Sequence, residues 1–271
     1  MKYRNRSDNY YDTEKFKSNT IEGSVTKNIA SIVISKKIVR QANKYLSIYN
    51  ICKHSRYILL ALFLISPYLL VLPIISTLLC MYMKTYSKIS LVYKINNIEN
   101  DAFQKKLEHV KRIMKSKKIS WVRSKSKVFE SRYEAGAGTV WDTVPCRIVS
   151  IPPFPFSTNM KIISIQSTNE SVTFFPDRIV IISDGHIADI PYDGINYEYE
   201  DFDFIENEKV PNDAIIVGHT WLYVNNDGSP DRRFKNNRQL PICGYGKLMI
   251  KSKSGLNVIL IFSNRKLWDN F

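Results

Sequence analysis

A run of 27 residues without a charge, YILLALFLISPYLLVLPIISTLLCMYM, constrains this chain more than any other feature. It extends from Tyr57 to Met83. A bilayer core about 30 Å thick takes roughly 20 apolar residues as helix, so the run is long enough to span or to dip deeply. The competing reading is a buried core helix, which is usually shorter. A cleavable signal peptide does not fit, because 56 residues precede the run and no small-residue cleavage site follows it. The expectation is a transmembrane segment.

Pro67 and Pro73 sit near the middle of the run, and each removes a backbone donor and kinks or breaks a helix. Lys53 and Arg56 flank it on one side, Lys84 and Lys88 on the other. The positive-inside rule places both flanks in the cytoplasm. A hairpin turning between Ser66 and Pro73 obeys that rule, whereas a single kinked span fits the length; the hairpin is the favoured reading. The charge distribution agrees. Residues 1–130 hold 25 Lys+Arg against 8 Asp+Glu, and residues 131–271 hold 14 against 17, so the whole net charge of +14 comes from the N-terminal half. These features predict a membrane protein, with anionic lipid headgroups as a partner and its C-terminal domain facing the cytoplasm. Cys52, Cys80, Cys146 and Cys243 are scattered, with no CxxC, and point to neither a disulfide framework nor a zinc site.

Residues 1–25 are polar and without periodicity, as in a disordered tail. Residues 26–118 read as basic helices flanking the 57–83 segment: Ile34, Ile38, Ala42, Tyr45 and Ile48 recur at helical steps, as do Phe103, Leu107, Val110 and Met114. From 119 to 271 the pattern changes to short runs such as RIVIIS, HIADI, AIIVGHTWLYV and LNVILIF, rich in β-branched and aromatic residues. Asp184-Gly185 and Ser254-Gly255 mark two hairpin turns. Eight or nine such strands imply an antiparallel β sandwich or small barrel, closed by a short C-terminal helix that Ser263 or Asn264 starts. The fold class expected is an α+β membrane protein, a helical membrane region followed by that β domain.

Catalytic motifs are lacking. There is no GxSxG and no HExxH, and AGAGT at 135–139 lacks the Walker lysine. No cofactor motif is present. His54, His109, His186 and His219 fall in four different elements without ligand spacing. His219 shares a strand face with Trp221 and Tyr223 at period two, which fits a packed histidine better than a catalytic one. Carboxylates alternate with Tyr197, Tyr199, Phe202 and Phe204, the pattern of a sheet with one face in solvent. The stretch NNDGSPDRRFKNNRQLPICGYG is the strongest candidate for binding. Asp231, Arg232, Arg233, Lys235 and Arg238 fall within eight residues, and arginine forks suit phosphate or carboxylate. The alternative is structural: the acidic run at 198–208 neutralises the loop, or Asp231 bridges to Arg233 or Arg238. Specific nucleic-acid binding is not expected, since Phe234 is the loop's only stacking candidate.

FFPDRIVIISDGHIADIPYDGI resembles the strand–turn–strand pattern of bacterial pleckstrin-homology-like domains. GHTWLYVNNDGSPDRRFKNNRQLPICGYG resembles the closing segment of an uncharacterised family of bacterial membrane-anchored proteins, as do Ala135-Gly136-Ala137 and FFPDR at 174–178. The resemblance implies a bacterial inner-membrane protein with a membrane-anchored intracellular domain, and it carries no activity. The function expected is recognition: a sensor whose β domain binds a partner protein or an anionic ligand through Asp231, Arg232, Arg233, Lys235 and Arg238, with His219 and Trp221 beside them. The alternatives are a membrane-bound hydrolase or transferase centred on His219, and a purely structural adaptor.

Overall fold

The computed structural model of the chain describes residues 2–5, 36–61, 66–94, 97–127, 139–192 and 194–268. The expected tail at 1–25 therefore lies outside the described residues except for 2–5, and AGAGT lies outside them except for Thr139. The chain forms two compact units, interleaved in sequence. Unit 1 joins 1–28, 108–147 and 193–271; unit 2 joins 29–107 and 148–192.

Unit 1 is a closed antiparallel barrel. Its strands are β1 (Lys2–Asn5), β3 (Ile119–Lys127), β4 (Thr139–Pro145), β11 (Asn196–Ile205), β13 (Gln239–Lys251) and β14 (Asn257–Phe262). Following hydrogen bonds from strand to strand gives β11-β1-β4-β3-β14-β13, and β13 pairs again with β11 to complete the ring. The seventh strand, β12 (Ile215–Trp221), extends the sheet along the first half of β13. Closure removes exposed sheet edges. Trp141 of β4 and Lys247 of β13 lie on opposite walls, yet the ammonium stands 5.2 Å from the indole centroid, which identifies the interior face. That interior is filled by Val122, Trp141, Phe202, Phe204, Cys243, Tyr245, Ile259 and Ile261. On the outer face an aromatic layer forms: His109 of α4 (Glu108–Ile113) stacks on Tyr197 at 4.6 Å, and Trp268 stacks on Tyr199 at 4.5 Å.

Unit 2 combines helices with a second sheet. Its helices are α1 (Lys36–Ala61), α2 (Val71–Tyr86) and α3 (Asn97–Lys106). Its five-stranded sheet runs β10-β9-β8-β7-β5, comprising β5 (Arg147–Val149), β7 (Ile163–Gln166), β8 (Glu170–Phe174), β9 (Arg178–Ser183) and β10 (His186–Pro191). A parallel pair, β2 (Ile89–Leu91) with β6 (Phe156–Thr158), completes the unit. The β9–β10 turn places Asp184 at φ 48° and Gly185 at φ 79°, the two left-handed residues of a type I′ turn. α1 docks on β10, where the Asn43 side chain accepts a 2.9 Å hydrogen bond from the Ile187 amide.

The expected transmembrane segment, and with it the α+β membrane fold class and the bacterial inner-membrane location, is corrected here: no helix among the described residues is long and apolar enough to cross a membrane. The uncharged run is not one helix. Its first residues, from Tyr57, are the last turn of α1, whose earlier turns carry Lys44, Lys53 and Arg56. Pro67 opens a 3₁₀ turn at Pro67–Leu70, and α2 follows with 16 residues, Pro73 in its first turn and Met83 near its end. At 1.5 Å per residue α2 is about 24 Å long, short of a bilayer core. α2 returns along α1, and its Ser76 hydroxyl donates a 2.8 Å hydrogen bond to the Cys52 carbonyl. Only Ser76, Cys80 and Met83 of α2 are buried, while Val71, Ile74, Leu78 and Met81 are each more than half exposed. The short C-terminal helix is a 3₁₀ turn, Arg265–Leu267; its N-cap Asn264 makes no side-chain capping bond. The Ser263 hydroxyl is spent on Asp213 at 2.7 Å instead.

Candidate functional site

The β12–β13 loop of unit 1 is built from nested turns. Asn225 begins the tip, where Gly228 N–H donates to the Asn225 carbonyl at 3.0 Å and Asn225 N–H donates to Ser229 at 2.8 Å. Asn237 locks the base: its amide nitrogen donates to the Tyr223 carbonyl at 2.7 Å, and its oxygen accepts from the Tyr223 N–H at 2.9 Å. Tyr223 and Phe234 stack with centroids 4.0 Å apart. Phe234 is thus spent inside the loop.

The five charged residues take two different roles. Asp231 is 3% exposed and accepts from the Arg233 amide at 3.0 Å, from Nε at 3.0 Å and from a terminal guanidinium nitrogen at 2.5 Å. A buried carboxylate needs such bonds, so this pair is scaffold. Arg232, Lys235 and Arg238 are exposed. Of these, Arg238 donates at 3.3 Å to the Asn207 carbonyl, which leaves its charge uncompensated. No carboxylate pairs with these three among the described residues.

Four of the six carboxylates in the acidic run at 198–208, the alternative partner of the loop, are committed elsewhere. Glu198 pairs with Lys251 at 2.7 Å, and Glu200 pairs with Lys247. Glu206 and Glu208 share Lys118, at 2.8 and 3.1 Å. Every one of these four carboxylates pairs with a lysine.

His219 and Trp221 lie on β12, opposite Pro241 and Gln239 of β13. One step further along the ladder, the Leu222 amide donates to the Arg238 carbonyl at 2.9 Å. Alternation therefore puts Arg238 on the face shared by Leu222 and Thr220, and His219 and Trp221 on the other. His219 is exposed and makes no side-chain hydrogen bond among the described residues, and Trp221 is half-buried. The structure brings Asp231, Arg232, Arg233, Lys235 and Arg238 together on one loop and does not add His219 to them. Among the described residues no cluster of His, Cys, Asp and Glu is arranged to hold a metal ion.

The feature that the sequence hides is the polar cluster at one end of the barrel. Glu206, with no exposure, accepts from Tyr245 and Lys118, and Ser116, Asp213 and Ser263 form a second network beside it. These residues come from segments up to 147 positions apart, which no local pattern reveals. Compared with known proteins, this chain matches no family model, no curated protein and no solved structure.

Proposed function

We propose that unit 1 is a recognition module that binds an oxyanion-bearing ligand, phosphate or clustered carboxylate, through Arg232, Lys235 and Arg238. One observation carries this reading: among the described residues no carboxylate pairs with Arg232, Lys235 or Arg238, while Glu198, Glu200, Glu206 and Glu208 of the acidic run pair with Lys251, Lys247 and Lys118 instead. Cations kept in place by a stacked, hydrogen-bonded loop lose little entropy on binding, which favours recognition. Arg232 and Arg238 offer planar forks, and Lys235 adds a point charge.

The test uses the full chain and inorganic tripolyphosphate as probe. Binding should weaken steeply as salt rises, as for exposed charges separated by about a Debye length. The variant Arg232→Ala/Lys235→Ala/Arg238→Ala leaves the Asp231–Arg233 scaffold intact and should weaken binding by at least about tenfold, roughly one exposed charge-assisted contact. A second arm compares vesicles of anionic and zwitterionic lipid, and so separates headgroup phosphate from free phosphate. Equal binding by the parent and a folded triple variant would exclude the loop.

A further inference from the structure

Unit 2 contains a cavity of about 390 Å³, lined by α1, the β7–β8 turn and the β9–β10 turn. That is the size of a small-ligand site. Part of its lining is aromatic and apolar: Tyr49 and Phe154, with ring centroids 5.0 Å apart, stand beside Leu46 and Pro153. The remainder carries hydroxyls, amides and carboxylates, among them Ser167, Ser171, Asn50, Asn169, Glu170 and Asp184.

Two of these groups lack partners. Ser171 is 5% exposed, and its Oγ makes no hydrogen bond among the described residues; the buried Oγ of Ser167 makes none there either. A buried hydroxyl without a partner is costly, and a native fold keeps one where something else completes it. His54 is exposed at the rim of the cavity and is oriented by its own helix. Its Nδ1 stands 2.7 Å from the Asn50 carbonyl. A carbonyl only accepts, so Nδ1 donates to it.

The chemistry of the lining selects the ligand. A purely apolar guest would leave both hydroxyls unbonded. An anion would meet one ammonium, Lys53, against the two carboxylates Glu170 and Asp184, so the field does not favour it. Hydroxyl groups on the ligand both donate and accept, which satisfies serine hydroxyls, amides and carboxylates together. A ring with one apolar C–H face covers Tyr49 and Phe154. We infer that this cavity binds a neutral polyhydroxylated ring, a mono- or disaccharide, with Ser171 and Ser167 bonding its hydroxyls and the Tyr49–Phe154 wall receiving its apolar face.

The test is calorimetric titration of the full chain with glucose, galactose, maltose and glucose 6-phosphate, each to about 10 mM, well past a millimolar Kd. At least one neutral sugar should bind, and glucose 6-phosphate should bind no better than glucose. Ser171→Ala should weaken the sugar about tenfold, the loss of one buried hydrogen bond. Asn169 sits on the exposed turn, so Asn169→Ala provides the same reading if Ser171→Ala does not fold. The inference is overturned if no neutral sugar binds, if the phosphate ester binds more tightly than glucose, or if the folded variants bind like the parent.

Discussion

The phenol of Tyr245 donates a 2.8 Å hydrogen bond to Glu206, a carboxylate with no solvent exposure, and Lys118 reaches the same oxygen at 2.8 Å. The Glu206 Oε1 is held as well, accepting from the Glu208 amide at 3.2 Å. Burial first, and the Glu206 charge second, push the Tyr245 phenol far above the ordinary tyrosine range. It therefore stays a donor at every working pH. The buried Glu206 carboxylate is surrounded by three donors, an arrangement that is costly to break from one side.

Removing one partner should cost more than removing both. Lys118→Met leaves Glu206 buried without its counterion and should lower the unfolding free energy by about 3–5 kcal/mol. Tyr245→Phe deletes one neutral donor and should cost about 1–3 kcal/mol. The double variant Lys118→Met/Glu206→Gln should recover part of the first loss, because no uncompensated charge remains. Urea unfolding of the parent and the three variants measures this, and a double variant no more stable than Lys118→Met would contradict the coupling.

Cys243 gives the barrel an alkaline limit. Burial, and then the Glu206 charge, push its thiol from the ordinary 9.0 up to about 11. The thiol is neutral in the fold while the unfolded thiol ionises near pH 9, so its stabilising effect is complete below pH 9 and lost as pH rises through 11. Two units correspond to about 2–3 kcal/mol in total. Unfolding free energy should therefore fall between pH 9 and 11, and the fall should be shallower in Cys243→Ala. An unchanged slope in that variant would remove Cys243 as the cause.

Asp231 and Arg233 should separate scaffold from contact surface. Asp231→Ala leaves the Arg233 amide and guanidinium without their acceptor and should cost about 1–3 kcal/mol. The Arg233 side chain is 68% exposed, so Arg233→Ala should cost at most about 1 kcal/mol. Thermal unfolding measures the pair; equal losses would mean that the carboxylate is not what holds the loop.

Parts of this structure were legible in the sequence because the information is local. Asp184-Gly185 demands a two-residue turn, and the strands on either side of it, RIVIIS and HIADI, pair across it. Asp231 and Arg233 are two positions apart and meet through one turn. The uncharged run misled for a physical reason: hydropathy records composition, whereas crossing a bilayer needs continuity, and the 3₁₀ turn at Pro67 divides the run. The alternation of acids and aromatics in β11 misled as well. Glu198 and Glu200 share the interior face with Phe202 and Phe204 and are matched there by Lys251 and Lys247, while Tyr197 and Tyr199 lie under His109 and Trp268. Residues 2–5 enter the barrel between β4 and β11, more than a hundred positions away, and no local signal foretells that insertion.

Gly246 marks where the barrel wall has no room. It pairs with Asp201 on one side and Phe262 on the other, and a Cβ there would stand 2.5 Å from the Phe262 ring and 3.1 Å from the Tyr199 ring. Both rings are fixed, the first with no exposure and the second stacked on Trp268, so neither can turn away. Gly246→Ala should therefore destabilise unit 1 by about 1–3 kcal/mol through overpacking. Gly218 is the control: its nearest neighbour lies 3.7 Å from a built Cβ, and Gly218→Ala should stay within about 0.5 kcal/mol of the parent. Near-ultraviolet circular dichroism should also change in Gly246→Ala, because Tyr199 and Trp268 must shift together. A variant as stable as the parent with an unchanged aromatic spectrum would show that the Phe262–Tyr199 contact can yield, and that the outer aromatic layer does not fix the wall of the barrel.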